Sequence, residues 1–77
     1  MKTSKELWIS RDCRKSYHEW LVVGWRNKPE LDEYREWQGV KEQDSLLNID
    51  VSEFASYFGF VPRAGSCKKY RFMVEEI

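Results

Sequence analysis

A small α+β fold is expected, an antiparallel sheet of three or four strands with one short helix across one face, in the order β-β-(β)-α-β. Three observations predict it. Alternating apolar residues mark a strand near each end of the chain, a run of strand-forming residues marks a central one, and a single stretch carries complete start and stop signals for a helix. With 77 residues the chain makes one domain, near the size at which a single core is only just sufficient.

The elements follow in order. Glu6-Leu7-Trp8-Ile9-Ser10 reads as a first strand, with Leu7 and Ile9 on one face and Trp8 on the other. The polar stretch from Arg11 to Ser16 suits a hairpin connection. From Tyr17 to Trp25 runs a second strand with apolar groups on both faces in its middle, which predicts a central position. Asn27-Lys28-Pro29-Glu30 turns the chain out of the sheet, because proline lacks a donor and pushes its predecessor towards extended geometry. Leu31–Glu36 fits a loop or one helical turn leading to a short strand around Trp37. Leu46–Ile49 reads as a short strand feeding the helix.

The helix signals lie between Asn48 and Pro62. Asp50 can cap by accepting an orphan amide of the first turn, and Glu53 can reach back as an Asp-headed capping box. Ile49 and Phe54 occupy the positions of a hydrophobic staple. Gly59 can close the helix in the left-handed conformation with Phe60 folding back on Phe54 or Ala55, and Pro62 prevents a restart. Val51, Phe54, Ala55 and Phe58 share the face that a sheet must cover. The last strand runs from Lys68 to Glu75, with Tyr70, Phe72 and Val74 on one side and Lys69, Arg71, Met73 and Glu75 on the other.

Trp8-Ile9-Ser10-Arg11-Asp12, then Tyr17 and Trp20, then Lys28-Pro29-Glu30-Leu31-Asp32-Glu33 and Trp37, resemble a loose set of short bacteriophage and prophage proteins without an assigned activity. The resemblance spans residues 8–37. It implies origin in a mobile element and a small antiparallel β-rich fold, and it implies no activity. The capped helix and the basic final strand depart from that set.

Charge is unevenly laid out although the net charge is zero. Residues 1–28 carry +4 (seven basic, three acidic), residues 29–53 carry −6 (two basic, eight acidic) and residues 54–77 carry +2 (four basic, two acidic). Zero net charge argues against nonspecific polyanion binding and a dipolar layout favours a directed contact. Trp, Tyr and Phe number four each, more ring surface than so small a core readily hides, so part of it is expected at the surface. No apolar run reaches membrane-spanning length and no signal peptide is evident, which makes a reducing cytoplasm the expected compartment and the cysteines free thiols.

Candidate chemistry is sparse. Cys13, His18 and Cys67, with Asp12 as a fourth donor, match no zinc spacing, and ordinary loop cysteines are the better reading. Cys13 and His18 as nucleophile and base lack an oxyanion donor set, so neither enzyme activity nor a cofactor or metal is expected. Two surfaces remain. The acidic stretch Glu30, Asp32, Glu33, Tyr34, Glu36 and Trp37 has the composition of a protein-binding surface, aromatic anchors within a charged rim. Its partner is expected to be a host protein that is inhibited or redirected. The alternative is nucleic acid, held by Arg11, Arg14, Lys15, Lys68, Lys69 and Arg71 with Trp8 as a stacking platform. Lysine and arginine also protect sheet edges from aggregation, which is the plainer account of those residues.

Overall fold

A computed structural model describes residues 2–12, 20–41 and 43–77. Its main sheet has four strands in the order β5-β2-β1-β6, every pairing antiparallel: β1 is Lys2–Arg11, β2 Leu21–Trp25, β5 Ser45–Asp50 and β6 Cys67–Glu75. A second, two-stranded sheet is the hairpin of β3 (Glu30–Leu31) and β4 (Trp37–Gln38). The helix α1 is Val51–Phe58. The α+β class and the central place of β2 are as expected. The first strand is longer than its alternation suggested, beginning at Lys2 rather than Glu6, because Lys2–Lys5 pair along β6 although none of the four is apolar. Residues 17–19 of the expected second strand lie outside the described residues.

One face of the sheet carries the core. Ile9 on β1, Val22 on β2, and Val51 and Phe54 on α1 are buried together, with Leu7, Leu47, Ile49, Phe60, Tyr70 and Phe72 packed around them. Strand β5 runs straight into α1, so Asp50 is both the last strand residue and the helix cap. Its Oδ1 accepts the Ser52 amide at 2.8 Å, the cap expected of Asp50, and also the Ser52 hydroxyl at 2.6 Å. At the other end Gly59 has φ 77° and its amide donates to the Ala55 carbonyl. Phe60 then turns back edge-on to Phe54 at 5.1 Å and lies 4.9 Å from Tyr70, while Phe58 meets Phe72 at 5.3 Å. These ring contacts tie the helix to β6 and replace the aliphatic volume that so short a chain lacks.

The opposite face of the sheet is partly covered by the chain after β2. Trp25 is buried there, and its indole Nε1 donates to the Ser10 hydroxyl at 2.7 Å. Ser10 in turn donates to the Val23 carbonyl at 3.4 Å, so a serine 1% exposed has its polar atom satisfied. Gly39, just beyond β4, lies on the Trp25 ring: a Cβ there would sit 2.8 Å from Cζ3. Absence of a side chain is what lets the β3–β4 segment settle on the sheet. Pro29 is fully buried at its entry.

Candidate functional site

The β3–β4 hairpin holds the whole acidic–aromatic set, and its geometry sorts those residues into two roles. Asp32 builds the turn. Its Oδ1 accepts the amides of Tyr34 (2.8 Å) and Glu36 (2.9 Å), and its Oδ2 takes the Gln38 amide group at 3.4 Å. The Asp32 backbone donates to the Glu36 carbonyl and accepts from the Arg35 amide, with Arg35 at φ 63°. A tight turn followed by a left-handed residue is a favoured three-residue hairpin connection, and the aspartate supports it in place of a glycine. Glu36 accepts from Gln38 at 3.4 Å. Trp37 is half-buried, its amide donating to Asp12 Oδ1 at 3.1 Å and its Nε1 enclosed without a partner among the described residues. It fastens the hairpin to the end of β1, and so is not the freely exposed anchor that its place among carboxylates suggested.

What faces solvent is Glu30, Leu31, Glu33, Tyr34, Arg35 and Gln38, the tyrosine 67% exposed and Leu31 48%. Leu31 was not singled out from the sequence. Its signal was an apolar side chain opposite Trp37 in the register, visible only once the hairpin is known. The tip is thus an acidic knob with two apolar side chains on a turn closed by its own hydrogen bonds.

Other acids of the central segment are occupied in holding backbone. Asp44 is 3% exposed and accepts the Asn27 side-chain amide at 2.9 Å and the Lys41 backbone amide at 2.9 Å, bonds that hold its carboxyl below the usual carboxylate range. The Ser52 bonds lower Asp50 likewise.

The basic set is divided. Lys69 (3.0 Å) and Arg71 (3.3 Å) both pair with Glu6 across the β1–β6 ladder, and these contacts lower the Glu6 carboxyl. Trp8, on that same face, has Lys28 Nζ at 5.6 Å and Lys69 Nζ at 6.0 Å from its ring, cations over its π-face. Lys68 pairs with Ile9 and so belongs to the helix-bearing face. Arg11 is on that face too and donates to the Pro62 carbonyl at 2.9 Å. The described basic residues therefore do not converge on one patch, and Arg14 and Lys15 lie outside the described residues. An open hollow of about 410 Å³ beside Lys68 is lined also by Arg63, Ser66 and Tyr70, with the Ser66 hydroxyl engaged by the Arg63 carbonyl at 2.6 Å.

Cys13 and His18 lie outside the described residues, so the zinc and nucleophile readings concern positions without a described geometry. Cys67 is half-buried opposite Ser10, and burial pushes its thiol up. Among the described residues no cluster of His, Cys, Asp or Glu is arranged to hold a metal, and no helix is long and apolar enough to cross a membrane. No protein-family model, curated protein or solved structure matches this chain.

Proposed function

We propose that this is a non-enzymatic binding protein that engages a protein partner through the tip of the β3–β4 hairpin. The observation that carries the reading is the joint exposure of Tyr34 and Leu31 beside Glu30 and Glu33, on a turn that Asp32 staples through the Tyr34 and Glu36 amides. A tyrosine and a leucine supply desolvation energy, and flanking carboxylates steer a basic surface into place. In keeping with the resemblance to mobile-element proteins, the partner class is a host protein carrying a basic rim around an apolar slot. Nucleic acid is the weaker reading because Lys69 and Arg71 are both engaged by Glu6, and Lys68 faces the other way.

Capture from a host lysate, repeated with Tyr34→Ala and with the pair Glu30→Lys and Glu33→Lys, tests the proposal. Both variants lose the captured protein, whereas charge reversal at Lys68, Lys69 and Arg71 keeps it. A salt-dependent shift of nucleic acid that is lost only on the basic reversal would transfer the function to the other surface.

A further inference from the structure

Strand β6 is one edge of the sheet, and it is an unusual edge. It pairs with β1 over nine consecutive residues without a register shift, contains no proline, and has Met73 71% and Val74 63% exposed near its end. Long, regular edges are normally blunted by a bulge, a proline or charged side chains, lysine above all. Here the charges have both signs: Lys68 and Lys69 begin the strand, and Glu75 and Glu76 end it and follow it. The opposite edge, β5, has six residues, no lysine, and an irregular register against β2.

We propose that β6 pairs antiparallel with β6 of a second copy, with Phe72 on the two-fold axis, joining two sheets into one of eight strands. The register follows from sequence and symmetry. Directly opposed residues share a face, so a two-fold perpendicular to the sheet must pass beside a residue, never between two. Centring on Phe72 sets Lys68 opposite Glu76, Lys69 opposite Glu75, Tyr70 opposite Val74 and Phe72 opposite Phe72, each unlike-charge pair occurring twice. Centring on Arg71 would oppose two guanidinium groups. Centring on Met73 would keep one unlike-charge pair, Arg71 with Glu75, against two in the Phe72 register, and would set Tyr70 against Glu76 and Lys69 against Ile77. Parallel pairing in register would stack like charges throughout. The chosen register also explains an exposed side chain: Val74 lies on the face of Phe72 and Tyr70, one step beyond the aromatic cluster, and in the pair it rests on Tyr70 of the second copy. Cross-strand ion pairs and aromatic–β-branched pairs are what stabilise such ladders.

Sedimentation of the full chain at low ionic strength, from low micromolar to near-millimolar concentration, tests the assignment. The expected mass rises towards twice 9.3 kDa. Lys68→Glu alone and Glu76→Lys alone each weaken self-association about ten-fold, since each turns two attractive pairs repulsive. An equimolar mixture of the two variants restores it, because every cross-pair is again of unlike sign. Both positions are exposed, and Lys68 and Glu76 take no part in the ion pairs among the described residues, so the variants keep their melting temperature. A chain that stays at 9.3 kDa throughout, or variants that associate no better mixed than apart, would overturn the proposal.

Discussion

Phe54 holds the helix to the sheet: it is fully buried and meets Phe58 and Phe60 within about 5 Å, with Ile9, Val22 and Val51 in the same cluster. Phe54→Ala is expected to cost about 3–5 kcal/mol, a large part of the stability of so small a domain, read as a fall in the denaturation midpoint. An unchanged midpoint would contradict the packing. Gly59 offers a cleaner measurement. No atom lies within 4 Å of where its Cβ would be, so Gly59→Ala reports the left-handed backbone alone and should cost about 1 kcal/mol. Gly39 is the opposite case, needed for space: Gly39→Ala must move the Trp25 ring or lift the hairpin, at about 1–3 kcal/mol. Because Ser10 holds the Trp25 indole, the lifted hairpin is the expected outcome, seen as weaker partner capture together with the lost stability.

At the scale of elements, the helix was legible almost to the residue because its signals are local. Asp50, Gly59 and the Phe54–Phe60 return all act within about two turns of chain, where residue type and spacing suffice. The main strands were legible through period-two alternation, although β1 outruns its apolar core and nothing in Lys2–Lys5 announces that. The β3–β4 hairpin was only half legible. Strands of two residues have no periodicity, and the device that closes the turn is a single carboxylate reaching two amides. For the same reason the site was seen as a run of equal acids, whereas Asp32 is a staple and Glu30 and Glu33 are the outward charges. Trp37 was legible as part of a short strand, but what holds it was not, since its tie is to Asp12, twenty-five residues away. Asp32→Ala should accordingly abolish partner capture as fully as Tyr34→Ala does, but by loosening the turn. Faster amide exchange at Tyr34 and Glu36 would distinguish the two, and unchanged exchange would refute the staple.

For the molecule as a whole, charge sets two behaviours. Glu6, Asp44 and Asp50 all have carboxyls lowered by native contacts, so the folded state binds protons less readily than the unfolded one. The stability they confer is fully present above the ordinary carboxylate range and is lost as pH falls through their lowered folded values. Melting temperature should therefore be level near neutrality and drop in acid, with Asp44→Asn lowering it at neutral pH and flattening the acid slope. A parallel acid slope in that variant would contradict the assignment. Reversal of Glu30 and Glu33 should slow association with the partner and flatten its salt dependence, measured as the association rate against ionic strength.

The β1–β6 ribbon has a further consequence for how this molecule opens. Strand β2 pairs with β1 only from Trp8 to Arg11, so Lys2–Leu7 have a single neighbouring strand. In an antiparallel pair, alternate residues point their amides at the neighbour and the rest point away. Along Lys2–Leu7 hydrogen exchange should thus run in a slow–fast alternation, while Trp8–Arg11 are shielded on both sides. The far end of the ribbon, Lys2–Ser4 against Met73–Glu75, can also separate without disturbing Leu7, Tyr70 or Phe72, which pack on the core, a low-energy opening distinct from global unfolding. One continuous strand thereby belongs to two cooperative units, and limited trypsin should nick after Lys2 or Lys5 well before it reaches the body of the sheet.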